Sequence, residues 1–274
     1  MTSLKPEDLQ HHLEVQQLAY QCCEEIGAGL TAGITEKQAA RQMREWLQDH
    51  GVDDWLHIPF AWFGDRTAFN GFWNPLQFLP SNRRLEEGDA YILDVAPVVD
   101  GYMADIGYAN HFGENDTFDQ IFADLAKFRP FILDRVKAGR PLSEIWSDVD
   151  VLIKDLGYKN CHNVYPGHVL AHTVMRVQQQ RPRVIAGAFG IRFLETIGRE
   201  LVTERMKSRS PLWNAGKFSN HAAYPAMWAV EPHIGLGNVG VKFEEIMVVT
   251  DDDAFWLDPE PSHVQRWNKM GVSA

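Results

Sequence analysis

The chain has 274 residues, of which 45% are hydrophobic and 23% are charged, and its formal net charge at pH 7 is −11. No basic tract stands out to bind phosphates, so the sequence argues against a nucleic-acid partner. No run approaches about 18 apolar residues and the N-terminus lacks a signal-peptide core, so we expect a cytoplasmic protein without a membrane partner. The three cysteines have neither zinc-site nor disulfide spacing.

The first part of the chain predicts two helices followed by strands. The first helix begins at Pro6. The second follows Thr35, whose spacing from Gln38 is that of a capping box, and it ends at Gly51. The aromatic-rich stretch 57–75 is broken by glycine and proline and predicts strands and loops.

After residue 113 the same order of elements begins again. We expect a helix capped at Asn115 or Asp116 with a kink at Pro130, a second helix from Ile145 to Gly157, and strands over 163–169, 227–230 and 241–250. The repeated order predicts two α+β halves, 1–113 and 114–274, around a shared core. The segment 173–220 fits this scheme least well, and we interpret it as an insertion or lid.

Two aspartates interrupt the hairpin sequence YILDVAPVVDGYMADIG. An Asp-Gly turn at 100–101 places Asp94 opposite Gly107 and Asp105 opposite Ala96, so both carboxylates point to one face. They would repel each other there, and neither strand contains a Lys or Arg to neutralise them. The pair predicts a divalent metal between the carboxylates; alternatively, both face water.

The stretch LEEGDAYILDVAPVVDGYMADIG resembles the region of the pita-bread metallopeptidases that supplies two aspartate ligands eleven residues apart. That family contains methionine aminopeptidases, Xaa-Pro aminopeptidases, prolidases and the amidinohydrolase creatinase. Its later ligands have counterparts in His168 after a glycine, Glu231 before a proline, and Glu244 in a C-terminal strand. The resemblance implies a single catalytic domain, 1–274, with two pseudo-symmetric helix–strand halves around a central curved antiparallel sheet.

Each later residue also has an ordinary structural interpretation. His168 could be a hydrogen-bonded core histidine, and Glu244 could form a surface ion pair with Lys242. Glu245 competes with Glu244 for the ligand position but points to the other face of its strand. Glu231, ahead of a proline in an apolar strand, is hard to explain without a partner.

The resemblance implies a dinuclear centre in which Asp105 and Glu244 bridge two ions, Asp94 binds one ion, and His168 and Glu231 bind the other. Four carboxylates and one neutral imidazole carry a charge of −4, which two divalent cations balance. Hard oxygen donors with one nitrogen suit Mn, Fe or Co, and Zn is also compatible. A metal-bridged hydroxide would be the nucleophile, with Glu231 as the proton shuttle.

The chain departs from the family at two substrate-handling histidines. Leu76 and Met175 stand where the family has them. His172 is our candidate for the missing catalytic role, and His221 and His233 are candidates for substrate binding.

The aromatic stretch before the hairpin could form a substrate wall from Phe60, Trp62, Phe63, Phe72 and Trp73, although dense aromatic residues are usually core. From this stretch we select Phe63 and Trp73 as candidate substrate contacts. Three function classes follow from the resemblance. The first is an exopeptidase of the aminopeptidase or Xaa-Pro dipeptidase type. The second is a creatinase-like or other metal-dependent enzyme acting on a small C–N substrate, and the third is a non-catalytic pita-bread binding protein. The expected partners are a small peptide or small-molecule substrate, with a homodimer as the candidate assembly.

Overall fold

The computed structural model describes residues 5–177 and 183–273. Its helices are α1 Pro6–Ala28, α2 Glu36–Asp49, α3 Asp116–Leu125, α4 Phe128–Lys137, α5 Leu142–Asp155, α6 Ile191–Met206 and α7 Ser262–Lys269. Its strands are β1 Asp54–Phe63, β2 Ala90–Val99, β3 Tyr102–Met103, β4 Ile106–His111, β5 Lys159–Asn160, β6 Ala171–Val174, β7 Ile185–Ala186, β8 Phe189–Gly190, β9 Leu212–Trp213, β10 Ala226–Val230, β11 His233–Leu236, β12 Val239–Lys242, β13 Glu245–Val249 and β14 Ala254–Trp256.

The strands form three antiparallel sheets. The first has the order β3-β2-β1-β8-β7, with β4 also paired to β2. The second has the order β14-β13-β10-β6-β9, and the third has the order β12-β11-β5. An isolated bridge joins Gly107 in β4 of the first sheet to Glu244, which lies between β12 of the third sheet and β13 of the second. The α+β class predicted from the sequence is observed, and this bridge lies where the four predicted carboxylate ligands meet.

The predicted helix starts are confirmed by their caps. Thr35 accepts a hydrogen bond from the Gln38 backbone N–H at 3.2 Å, and the Gln38 side chain accepts one from the Thr35 N–H at 2.9 Å. Asn115 caps α3 by accepting a hydrogen bond from the Phe118 N–H at 2.8 Å. These side chains satisfy backbone donors that the first helical turn leaves free.

The predicted hairpin register is also confirmed. Val99 pairs with Tyr102, and Asp94 pairs with Gly107, as an Asp-Gly turn requires. Asp100 and Gly101 have φ values of 52° and 85°, the left-handed conformation that such two-residue turns use. The second strand is interrupted at Ala104 and Asp105, so it forms β3 and β4 rather than one strand.

Three predicted elements differ from the structure. The strand predicted over 163–169 is instead two short 3₁₀ turns, because Pro166 lacks a backbone donor and Gly167 adopts φ 78°. The strand predicted over 241–250 is split at Glu244. The break near Pro130 lies earlier than predicted, between α3 and α4, and the proline sits in the first turn of α4, where its missing N–H costs no bond.

The segment 173–220 contributes to the sheets in the residues that the structure describes. Its first two residues complete β6, β8 pairs with β1, and β9 pairs with β6. Residues 178–182 of this segment lie outside the described residues. Its role as an insertion or lid, and the division into halves at residue 113, stay predictions. Within 5–177 and 183–273, no helix has the length and apolar character needed to cross a bilayer.

Candidate metal centre

Four carboxylates from distant parts of the chain meet at the floor of one cavity of about 260 Å³. Asp94 lies in the middle of β2, Asp105 between β3 and β4, Glu231 directly after β10, and Glu244 between β12 and β13. All four are buried, with at most 7% of each residue exposed. So much buried negative charge requires compensation by cations, protons or a metal.

A lysine that the sequence suggested as a surface residue lies inside this cluster. The Lys242 Nζ is 2.8 Å from Asp94 Oδ2, 3.0 Å from Glu231 Oε2 and 2.9 Å from Glu244 Oε2. Only 1% of the residue is exposed, so the predicted surface ion pair with Glu244 is a buried one. Lys242 reaches the carboxylates from β12, which explains why the hairpin strands needed no cation of their own.

Gly107 makes room for this lysine. It pairs with Asp94 on one side and bridges to Glu244 on the other, so it lies between two of the carboxylates. A Cβ atom at this position would lie 2.3 Å from Lys242 Cε and 2.9 Å from Lys242 Cδ. Any larger residue would therefore displace the lysine side chain from the cluster.

His57, which our sequence analysis did not select, contacts two of the aspartates. Its Nε2 is 3.1 Å from Asp94 Oδ1 and 3.2 Å from Asp105 Oδ1, while its Nδ1 is 2.7 Å from the Ile58 carbonyl. Because a carbonyl can only accept, Nδ1 carries the proton, and a neutral ring would turn its Nε2 lone pair toward two carboxylates. His57 must therefore be protonated or share a cation with Asp94 and Asp105.

His172 repeats this arrangement on the other side of Asp105. Its Nε2 is 3.1 Å from Asp105 Oδ2 and 4.0 Å from Glu244 Oε1, and its Nδ1 is 3.2 Å from the Thr173 carbonyl. Anchoring of one ring nitrogen by a backbone carbonyl is typical of metal-binding histidines, because it fixes the tautomer and aims the other nitrogen. We had predicted His172 as a catalytic residue, and the structure brings it to the carboxylates.

The predicted ligand His168 is not brought to the carboxylates. Its side chain is exposed, and its Nδ1 contacts the Asn163 carbonyl. It lies in the 3₁₀ turn before β6, whereas His172 lies in the strand itself. The motif GHVLAH contains both histidines four residues apart, and the structure brings the second of them, not the first, to the carboxylates. The adjacent strand-forming pair Thr173-Val174 was the available signal for His172.

The four predicted substrate contacts lie away from the cavity wall. The His221 Nε2 accepts a hydrogen bond from the Ser210 N–H at 2.9 Å. His233 is fully buried, and its Nε2 is 2.8 Å from the Thr67 carbonyl. Phe63 is fully buried core, and Trp73 is a surface residue that is 84% exposed. None of these four lines the cavity in the described structure.

Electrostatic interactions within the cluster shift several pKa values. Burial would raise the pKa of Asp105, but the positive charges and hydrogen bonds of His57 and His172 hold it below its ordinary value. Burial, together with the charges of Asp105 and Glu231, raises the pKa of Glu244 well above the ordinary range. The cluster can therefore neutralise itself with cations from its own side chains and a proton on Glu244.

The same side chains also fit a divalent metal. Two groups have donor atoms within 4.8 Å of one another: His57 with Asp94 and Asp105, and Asp105 with His172 and Glu244. Asp105 belongs to both groups, which is the position expected of a bridging ligand. Carboxylate oxygens with an imidazole nitrogen suit divalent transition metals. The fit is partial, because Lys242 occupies one oxygen of each of three carboxylates.

Residues 10–251 match metallopeptidase family M24. The chain belongs to this family. An uncharacterized peptidase of Staphylococcus epidermidis is 24% identical over 152 residues, which cover 55% of this chain and 40% of that protein. This M24 chain thus spans less than half the length of the curated relatives that it matches.

Solved structures show that the M24 chain has the pita-bread fold. An X-Pro aminopeptidase from Thermotoga maritima superposes with a TM-score of 0.69 at 18% identity, over 93% of this chain and 62% of that one. A Xaa-Pro dipeptidase from Bacillus anthracis gives 0.67 at 19% identity, over 94% and 62%. A methionine aminopeptidase from Rickettsia prowazekii gives 0.61 at 13% identity, over 94% and 99%.

The cavity walls above the carboxylates of this M24 protein are apolar. Strand β1 and the following loops supply one side, and the segment around α6 supplies another. The walls include the aromatic side chains Phe60, Trp62, Phe78, Tyr165, Phe189 and Phe193. Of the aromatic residues predicted to form a substrate wall, Phe60 and Trp62 line the cavity, whereas Phe63, Phe72 and Trp73 do not.

Proposed function

We propose that this M24 protein is a metal-dependent hydrolase of amide bonds, and that it acts as an exopeptidase of the aminopeptidase or Xaa-Pro dipeptidase type. One observation supports this proposal most directly. Four buried carboxylates and two carbonyl-anchored imidazoles meet at the floor of a cavity large enough for a small substrate. A purely structural role does not account for this concentration of buried charge at a cavity floor.

The proposed ligands are Asp94, Asp105, His172, Glu231 and Glu244. His172 replaces His168 in the set, and His57 could add a further nitrogen donor. We propose Mn, Fe or Co as the metal, with two ions as the upper limit. A divalent metal, when bound, activates a water molecule and polarises the scissile carbonyl.

The protein supplies proton handling and water exclusion. Burial raises the pKa of Glu231, which therefore holds a proton more readily than an exposed glutamate does. Its position at the cavity floor suits it to carry a proton from the attacking water to the departing nitrogen. The backbone carbonyls behind His57 and His172 keep both imidazoles aimed at Asp105. The aromatic walls keep bulk water out of the cavity.

Two observations favour alternative functions. Leu76, at one position where the resemblance implies a substrate-handling histidine, is 75% exposed and apolar, which favours a small C–N substrate over a peptide. Lys242 already neutralises three carboxylates, which favours a binding protein that functions without metal. The following experiment distinguishes these functions.

The test combines metal analysis with a substrate panel. Protein purified without chelator should contain up to two transition-metal ions per chain, and Asp105→Ala should contain none. The Mn- and Co-loaded protein should cleave one or more aminoacyl-proline or other dipeptide derivatives, and Asp105→Ala should not. His168→Ala is the matched control and should retain both metal and activity. Metal without turnover on any peptide would favour the small C–N substrate, and absence of metal would favour the binding protein.

A further inference from the structure

The cavity has an unusual distribution of charge for a site that binds a free peptide. Every acidic and imidazole side chain on its described lining lies at the floor: His57, Asp94, Asp105, His172, Glu231 and Glu244. The walls consist of apolar and aromatic side chains, with the Tyr165 hydroxyl 3.2 Å from His233 Nδ1. No lysine or arginine lines the cavity among residues 5–177 and 183–273.

Several described cations near the cavity pair with carboxylates or line another surface. Lys242 lies beneath the floor, and its ammonium contacts three carboxylates. Arg192, at the start of α6, forms an ion pair with Asp54 at 3.0 Å. The basic side chains of α2 line a separate surface depression that shares only Leu79 with the cavity: Lys37, Arg41 and Arg44. These arginines and lysines are therefore not placed to bind a carboxylate inside the cavity.

A free carboxylate is costly to place in such a cavity. It would lose water, find no guanidinium or ammonium on the described walls, and approach a floor whose cations are already paired with the floor's own carboxylates. An amide group, in contrast, carries no charge, and an apolar body would gain from contact with the aromatic walls. The cavity therefore discriminates against the acid form of a ligand and favours its amide.

We propose that the cavity binds a small amide with an apolar body and no free carboxylate, such as a peptide amide or an N-acyl amine, rather than a free dipeptide acid. This proposal rests on the hydrolase function for its chemical step. In that step water adds to the acyl carbon, the C–N bond breaks, and a proton passes to the nitrogen. The products are a carboxylic acid and an amine.

The test uses two ligands that differ only at the carboxyl end, phenylalanyl-prolinamide and phenylalanyl-proline. Their binding to the full chain is measured by isothermal titration calorimetry in the presence of a chelator, so that no turnover occurs. The amide should bind at least tenfold more tightly. Equal binding, tighter binding of the acid, or no binding of either ligand would overturn the proposal.

A charge variant on the wall tests the cause of this preference. Leu79 is half-buried and lines the cavity. Leu79→Arg adds a cation and should reduce the preference for the amide to less than threefold, whereas the neutral control Leu79→Gln should keep it. If the ratio of the affinities for the amide and the acid is the same in both variants, the charge of the wall does not set the preference, and the proposal is refuted.

Turnover by the Mn-loaded protein separates this proposal from the proposed function. If the amide binds more tightly but no panel substrate is hydrolysed, the proposed hydrolase function is refuted and the proposed preference for amide ligands is supported. Hydrolysis of phenylalanyl-proline with a higher kcat/KM than that of its amide would support the hydrolase and refute the ligand class.

Discussion

The buried ammonium of Lys242 makes a quantitative prediction about stability. Lys242→Met keeps most of the side-chain volume but leaves Asp94, Glu231 and Glu244 without their shared cation. Removing one partner from a buried ion pair typically costs about 3–5 kcal/mol. Three carboxylates lose their cation here, but their protonation offsets the additional loss, so we expect a decrease of about 3–5 kcal/mol in the free energy of unfolding at pH 7.5 with chelator.

A divalent metal should reverse much of this loss. An ion whose free concentration is 100 times its dissociation constant adds about 2.7 kcal/mol to the free energy of unfolding. Because the variant has no competing ammonium, Mn²⁺ should bind it more tightly and stabilise it more than the wild type. Lys154→Met is the matched control, since Lys154 forms an exposed pair with Asp150 that is worth less than about 1 kcal/mol.

Urea unfolding followed by tryptophan fluorescence, with chelator and with Mn²⁺, measures these differences. The reasoning would be refuted if the Lys242→Met variant were as stable as the wild type in chelator. Equal stabilisation of both proteins by Mn²⁺ would show that lysine and metal do not compete for the same carboxylates.

Three further predictions concern other titratable residues. Asp105→Ala should abolish metal binding, because Asp105 belongs to both donor groups, and calorimetric titration with Mn²⁺ would measure the loss. Mutating a residue that only hydrogen-bonds a metal ligand typically weakens metal binding about 10–100-fold. His172→Ala should weaken Mn²⁺ binding by more than this, whereas His168→Ala should bind Mn²⁺ as tightly as the wild type in the same titration. Burial, together with the charge of Glu204, raises the pKa of Glu200 to about 7 from 4.5. Between about pH 4.5 and 7 the folded state keeps this proton while the unfolded state has lost it. The free energy of unfolding should therefore decrease as the pH rises through this range. After allowance for solvent screening, Glu200→Gln should restore about 1–2 kcal/mol at pH 8 and nothing below pH 4, as urea unfolding would show.

The sequence was sufficient to predict the hairpin geometry because that geometry depends on local rules. An Asp-Gly turn fixes the pairing of its strands, and the period of two then fixes the face of every residue. The pairing of Asp94 with Gly107 is therefore observed as predicted, and Asp94 and Asp105 lie on one face, where both contact His57. The cap at Thr35 was predictable for the same reason, since the backbone donors that it satisfies lie within one turn.

The errors arose where the answer depended on contacts between distant segments. His57 stands in an aromatic run with no informative spacing, and only the pairing of β1 with β2 places it opposite Ala96, on the Asp94 side of the sheet. Lys242 lies two residues before Glu244, so the strand period placed both on one face. Whether that face was surface or core depended on how β12 packs over Gly107, which no local pattern reveals.

These contacts change the electrostatic interpretation of the site. The sequence predicted that two divalent cations balance the four carboxylates, because it assigned no other cation to the site. The fold places an ammonium and two imidazoles among the same carboxylates, so the chain can balance most of the charge by itself. A metal bound at the proposed site would displace protons and compete with Lys242, and its affinity would depend on this competition. The resemblance led us to expect the four carboxylates, whereas the competing lysine and the glycine that accommodates it are visible only in the fold.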